Sequence, residues 1–255
     1  MRSWQLRGAH ASAQSMARVA PLVLLVVGAL SANTAQAQTK DTSSFTVSAK
    51  GGPIRVWPIK HASVMLEFRG KTYYVDPASL PGGAEYKKAD AILITHEHGD
   101  HLDPQAIKLL RKPGTTILAN PNSVTKLGEG QPIRNGEKRK LLGIEVEAVP
   151  AYNVVRTQYH PKGRDNGYVL TVGGTRIYFA GDTENIPEMK RLKGIDLAFL
   201  PINLPYTMPP AEAAQAALAF RPKLLVPYHQ GQSNPQDVAQ ALKGSGIGIK
   251  VLSLP

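Results

Sequence analysis

Residues 95–103 read THEHGDHLD, which places three histidines, two aspartates and a glutamate within nine positions. His96 and His98 are two residues apart, so on a strand running into a loop their imidazoles can converge on one metal ion. Asp100 and His101 follow in the turn and can face a second ion nearby. Left without metal, the stretch would crowd several imidazoles together with no common partner, which is electrostatically poor once any is protonated. Histidine nitrogen with carboxylate oxygen suits zinc best, with manganese or iron also compatible. So short a stretch cannot close two such sites, and the remaining ligands must come from elsewhere. Of the seven histidines, His10, His61, His160 and His229 lie outside the cluster.

The elements that must hold these groups follow from hydrophobic patterning. AILIT at 91–95 is a continuous apolar run, expected of a strand buried on both faces, and it delivers the cluster at its C-terminal end. Asp103-Pro104 supplies an N-cap and a proline at the first helical position, predicting a helix to about Arg111. Upstream, IRVWPI (54–59), SVMLEF (63–68) and TYYVDP (72–77) read as strands, the last two forming a hairpin that ends at Asp76. Downstream, the strands TTILA, IEVEAVP, GYVLTV, TRIYFA, LAFLP, KLLVPY and IKVLSL are interleaved with helices predicted near 121–127, 185–192, 209–220 and 235–243. This alternation argues for a layered α/β fold. SVMLEFRGKTYYVD (63–76) and GYVLTVGGTRIYFAGD (167–182) are both strand, glycine turn, strand, then aspartate, and each precedes a polar residue and an apolar strand. That self-similarity hints at an internal duplication, with two sheets meeting at one shared site.

The N-terminus reads as a targeting segment. Residues 19–32, VAPLVLLVVGALSA, follow Arg18 and precede Ala35-Gln36-Ala37, a small-x-small cleavage pattern. The run is shorter than the roughly 20 apolar residues of a spanning helix, so a cleaved signal peptide over 1–37 is expected rather than a membrane anchor. Met16 gives the more compact start. Cleavage would leave 218 of the 255 residues, with 27 of the 30 basic side chains against 19 acidic ones. Residues 38–50 read as a flexible lead-in, and 51–255 as a single domain. The basic excess is weakly consistent with an anionic substrate, but Arg111-Lys112, Lys138-Arg139-Lys140 and Lys190-Arg191 also fit a solvated basic face. With no cysteine, there can be no disulfide framework, lipoprotein anchor or thiolate ligand.

THEHGDH resembles the first motif of the metallo-β-lactamase superfamily, Thr-His-x-His-x-Asp-His. GYVLTVGGTRIYFAGDT resembles its later strand ending in the metal-bridging aspartate, here Asp182, and VPYHQG resembles the final motif, whose histidine is here His229. IKHASVMLEF is similar to branches that include the L-ascorbate-6-phosphate lactonases and N-acyl phosphatidylethanolamine phospholipase D. The resemblance implies a four-layer αββα sandwich with a dinuclear centre at the sheet edges. One stretch departs from the pattern: VPAYNVVRTQYHPKG has Asn153 where the resemblance would put the family's third histidine, and His160 is the histidine available nearby. The implied first ion is held by His96, His98, His160 and Asp182, the second by Asp100, His101, Asp182 and His229. For His160 the alternative is an exposed loop histidine, with Asn153 or water in its place. His61 reads either as a substrate contact at the mouth of the site or as a structural histidine. Asp76 is expected to orient a ligating imidazole, Glu97 to stand behind the ligands and Asp103 to cap a helix. Tyr206 and Tyr228 are placed in loops rimming the site, either polarising a substrate oxygen or serving structure.

The activity so implied is that of an exported metal-dependent hydrolase with two divalent ions, zinc foremost. Its bridging hydroxide would cleave an ester, lactone or phosphodiester-type bond in a small molecule, with Asp100 holding a proton. Two readings compete: a mononuclear iron dioxygenase of the same fold and a non-catalytic zinc-binding module. The family's flavodiiron members resemble a pattern with glutamate where this chain has His98, which favours hydrolysis. Nucleic acid is not an expected partner, since no aromatic-basic patch is visible and 218 residues leave no room for a gripping domain. The pocket-shaping loops at 78–88, 153–166 and 203–210 carry no legible specificity.

Overall fold

The computed structural model describes residues 44–252 and 254, so the leader read over 1–37 lies outside the described residues. Within them the chain builds two seven-stranded sheets one after the other. The first comprises β1 (Phe45–Val47), β2 (Ile54–Lys60), β3 (Ser63–Phe68), β4 (Lys71–Val75), β5 (Ala91–Ile94), β6 (Thr116–Ala119) and β7 (Gln131–Pro132), hydrogen-bonded in that order. The second comprises β8 (Lys138–Leu141), β9 (Ile144–Ala151), β10 (Asp165–Val172), β11 (Thr175–Phe179), β12 (Leu197–Pro201), β13 (Leu224–Tyr228) and β14 (Gly248–Ile249), again in chain order. In each sheet the first four strands are antiparallel and the remaining pairings are parallel. The two halves therefore repeat one topology strand for strand, and β3–β4 and β10–β11 are the hairpins whose sequences match.

Alternation along the strands sets the layers. Ala91 and Leu93 of β5 face the core between the sheets, with Val56, Leu66 and Tyr73 opposite Val146, Leu170, Phe179 and Phe199. Ile92 and Ile94 point the other way, against Leu102, Ile107 and Leu110. Those last two residues belong to α1 (Pro104–Leu110), which covers the outer face of the first sheet with α2 (Pro121–Leu127). The outer face of the second sheet, including Val169, Tyr178, Ala198 and Leu225, packs on α3 (Pro187–Lys190), α4 (Pro210–Phe220) and α5 (Pro235–Ala241). The result is a single-domain αββα sandwich. β5 reads as an unbroken apolar run because all four of its residues are buried.

Three segments differ from the sequence reading. Phe45–Val47 lies inside the expected flexible lead-in, yet it pairs antiparallel with β2, and the chain just beyond it is tied to the second sheet by Lys50 N–H donating to Gly173 O at 2.8 Å. A three-residue edge strand offers too little periodicity to stand out among serines and threonines. Of the run IKVLSL, among the described residues, only Ile249 joins the sheet, in the two-residue strand Gly248–Ile249. Lys138-Arg139-Lys140 is solvent-facing as expected, but it is also β8, an exposed edge on which basic side chains discourage pairing with another chain.

Candidate metal centre

Six stretches converge at the carboxyl ends of the parallel strands of both sheets, where open α/β layers place their ligands. β4 ends in Asp76, β5 runs directly into Thr95 and His96, β13 into His229, and the turn after β11 carries Asp182. His61 comes from the β2–β3 turn, and His160 from the loop between β9 and β10. All six histidines among the described residues thus meet in one place. Asp103 accepts from Gln105 N–H and Ala106 N–H, capping α1 and fixing the exit of the His98–His101 turn.

Among the described residues, three donor groups lie within ion-binding reach: His96, His98 and His160; His96, His101 and Asp182; and His61, Asp100 and His229. Asp182 spans them. Its Oδ2 is 3.4 Å from His160 Nε2, while its Oδ1 is 3.3 Å from both His101 Nε2 and His229 Nε2. Asp100 Oδ2 is 3.3 Å from His229 Nε2 and 3.8 Å from His101 Nε2. Metal bonds of about 2.0–2.1 Å at tetrahedral angles separate neighbouring donor atoms by about 3.3–3.4 Å. The spacing is therefore that of coordination polyhedra. The burial agrees: His96 Nε2 has no hydrogen-bond partner, and His101 Nε2 and Asp182 Oδ1 face each other at an angle that makes no hydrogen bond. Buried orphan atoms of this kind cost stability unless something binds them.

The electrostatics point the same way. Desolvation, then the neighbouring His101, holds His96 well below the ordinary imidazole range, which suits a neutral ligand. Desolvation likewise lowers His98 and His229. For Asp182, desolvation opposes the charge, but His229 and His101 outweigh it and keep the carboxylate ionised. Asp100 is also held far below the usual carboxylate range, desolvation being overcome by hydrogen bonds to His229 and His61. His160 is pushed up to about 9, because Asp165 and Asp182 outweigh desolvation. His101 is likewise pushed up, desolvation being outweighed by the Asp182 and Asp76 carboxylates.

A profile of the beta-lactamase superfamily domain matches residues 55–229, more than half of the chain and all of the candidate site residues. The chain belongs to the metallo-β-lactamase superfamily. A metal-dependent hydrolase of Geobacillus sp. (strain WCH70) is 34% identical over 186 residues, which is 66% of this chain and 82% of the relative. The crystal structure of a protein from Parabacteroides distasonis, described as a metal-dependent hydrolase, shares 48% identity with a TM-score of 0.80, covering 83% of this chain and 99% of that one. A metallo hydrolase from Ignicoccus hospitalis, at 24% identity and a TM-score of 0.67 over 78% of this chain and 95% of its own, shares the fold. Together with the ligand constellation, these relatives make the protein a metal-dependent hydrolase of that superfamily.

Behind the candidate ligands stands a supporting layer, only part of which sequence reasoning named. Asp76 is fully buried; it accepts from Thr95 N–H and Thr95 Oγ1, each at 2.7 Å, and its Oδ2 lies 2.8 Å from His101 Nδ1. Asp165 does the same for His160, at 3.1 Å from Nδ1. Asp165 is in turn gripped by Arg164, which reaches Glu97 at 3.4 Å, so Glu97 stands two residues removed from His160. Glu184, almost wholly buried, accepts from the N–H groups of Val154, Val155 and Arg156, and pairs with the Arg156 guanidinium at 2.8 Å. This carboxylate organises the loop that carries His160. Asp165 and Glu184 were missed because a lone acidic residue near a strand end has no distinctive pattern.

Two expectations need revision. Tyr228 does not rim the site from a loop: it is the last residue of β13, wholly buried, and its hydroxyl accepts from Gly181 N–H at 3.0 Å. It supports the turn before Asp182. Asn153 is buried and donates to Arg156 O and Tyr206 O, tying two loops together rather than filling the ligand place beside His160. Tyr206 does lie exposed in the 203–207 loop, edge-on to Tyr159.

Proposed function

We propose that this protein is an exported hydrolase with a dinuclear centre, zinc foremost, that cleaves an ester, lactone or phosphodiester-type bond in a small molecule. The observation that carries the reading is Asp182, whose two oxygens face different donor groups, one toward His160 and the other toward His101 and His229. A single ion would need only one of them. His96, His98, His160 and Asp182 fit the first ion, and Asp100, His101, Asp182 and His229 the second.

Divalent cations held by these residues would supply Lewis acidity and an activated water whose pKa falls toward about 7. The protein's own part is positional. Asp182 stays ionised between the two groups. Asp100 carries the solvent-facing carboxylate of the set, its side chain 48% exposed, and is placed to take a proton from the attacking water and return it to the leaving group. Asp76 and Asp165 hold His101 and His160 by their Nδ1 atoms, leaving Nε2 free toward the centre. No side chain is required as a nucleophile.

Metal analysis of residues 38–255, paired with hydrolysis assays across lactone and phosphodiester panels, tests the reading. Two ions per chain and turnover of one panel are expected. About one ion per chain, or iron with oxygen consumption, would sink it. Export rests on the apolar run at 19–32 and the Ala35-Gln36-Ala37 pattern, and N-terminal sequencing of the mature protein should begin at Gln38.

A further inference from the structure

His61 occupies a backbone position that histidine seldom takes. It sits in the two-residue turn between β2 and β3 at φ +51°, where glycine, asparagine or aspartate would relieve the left-handed conformation. His229 is also left-handed, at φ +46°, and its N–H donates to His61 O at 3.0 Å. The two strained residues are therefore locked to each other through their backbones, and their rings lie 3.7 Å apart between centroids. Strain of this sort survives where the side chain has work to do.

The side chain faces the centre. His61 Nε2 lies 3.2 Å from Asp100 Oδ2, the same oxygen that His229 Nε2 approaches at 3.3 Å. These separations match the donor–donor edges found around the rest of the site. Were both rings merely hydrogen-bonded to Asp100, each would need a proton on Nε2, and two N–H dipoles would point together into a region already holding His101 Nε2 at 3.8 Å. With an ion among them, each nitrogen instead offers a lone pair, and the crowding becomes a coordination shell. His61, Asp100 and His229 are one of the three donor groups that meet the reach for a single ion.

We infer that His61 is a fifth protein donor to the second ion, beside Asp100, His101, Asp182 and His229, an inference that rests on the dinuclear reading. The first ion then has three imidazoles and one carboxylate, a set suited to four-coordinate zinc. The second has three imidazoles and two carboxylates, which exceeds that preference and suits an ion of higher coordination number, such as manganese or ferrous iron. The two places are chemically unequal, so they should fill in order and differ in metal preference.

His61→Asn tests this, because asparagine tolerates the left-handed turn and removes the imidazole. Wild type and variant are stripped of metal, then titrated with zinc, manganese and cobalt(II) against a competing chelator, with bound metal counted by mass spectrometry. Two ions are expected in wild type. In the variant the first affinity should be unchanged and the second weakened by roughly 100-fold or more, beyond the range typical of losing an outer hydrogen-bond partner. The cobalt absorption of the second site should intensify as its coordination number falls. Unchanged second-site affinity with an unchanged cobalt spectrum overturns the role of His61, whereas a single ion in wild type overturns the dinuclear reading itself. A measurement independent of the variant's folding uses wild type loaded with cadmium-113: scalar coupling to His61 Nε2 is expected, and its absence also refutes the inference.

Discussion

Replacing Asp76 by asparagine should weaken one metal ion and spare the other. Asp76 touches no ligand position; it acts through His101, whose Nδ1 lies 2.8 Å from its Oδ2, while Thr95 N–H and Thr95 Oγ1 donate to the same carboxylate. Asparagine has nearly the same volume and can keep the Thr95 N–H bond through its oxygen, so the fold should persist. Its amide nitrogen must then face Thr95 Oγ1 and His101 Nδ1. Because that nitrogen can only donate, His101 Nδ1 must lose its proton, which moves to Nε2, the atom aimed at Asp182 and the second ion. A protonated Nε2 cannot ligate. Losses of such outer partners cost about 10–100-fold in metal affinity, or about 1.4–2.7 kcal/mol. Competitive titration of the metal-stripped protein, with bound metal counted, gives both affinities. Asp165→Asn applies the same logic to His160 and should weaken the first ion instead, so the pair of variants forms a crossed control. Wild-type second-ion affinity in Asp76→Asn, or equal loss at both ions in both variants, would refute the tautomer argument.

Glu184→Ala should unfasten the loop that carries His160: three backbone N–H groups and the Arg156 guanidinium lose their acceptor, costing about 3 kcal/mol, the lower end for breaking a buried pair. Chemical denaturation gives the stability, and hydrogen exchange should show residues 154–156 losing protection before the sheets do. Gly181→Ala should displace Asp182, because Gly181 has φ +65° and an added Cβ would lie 2.8 Å from Asn166 O. A loss of about 1–2 kcal/mol from the left-handed backbone alone is expected, with weaker binding of both ions, and a variant that keeps both affinities would contradict it. Asp90 supplies a pH test away from the metals. It accepts from Thr72 N–H at 3.0 Å and pairs with Lys71 and Lys112; these contacts outweigh desolvation and lower its pKa from 3.8. Its stabilisation should be complete above about pH 3.8 and fade as pH falls through the lowered folded value. Wild type should therefore exceed Asp90→Asn by about 0.5–1 kcal/mol at neutral pH, since the amide oxygen can still accept from Thr72 N–H, only the charge is lost and both lysines are half-exposed, with the gap closing in acid.

What could be read in the sequence was whatever a short window encodes. Asp103-Pro104 announces α1 because a cap and a proline are local requirements, and all five helices stand close to where local signals put them. THEHGDH is legible for the same reason, as one turn carries most of a ligand set. The supporting carboxylates were harder. Asp76 was suggested by its place at the end of a hairpin, but Asp165 and Glu184 act across separations of 5 and about 30 residues, onto a loop whose path no window predicts. Tyr228 shows the limit most clearly: KLLVPY was legible as a strand, but that its last residue is wholly buried instead of rimming the site depends on packing that no short window encodes.

The repeat of topology explains why the centre sits where it does. Each half-chain lays down an antiparallel run and then turns parallel at β4–β5 and at β11–β12. At each switch an aspartate follows the hairpin: Asp76 in the first sheet and Asp182 in the second. The first ends wholly buried among Thr95 and His101, so it can only orient a ligand; the second faces His101, His160 and His229 and can span the centre. The difference traces to the turn. Asp76 follows β4 directly, whereas Ala180 and Gly181 extend the second turn by two residues before Asp182, with Gly181 in a left-handed conformation. Two residues of extra turn are enough to move a carboxylate from behind the ligands to among them. Two hairpins of one topology thus place one carboxylate behind His101 and the other between His160, His101 and His229.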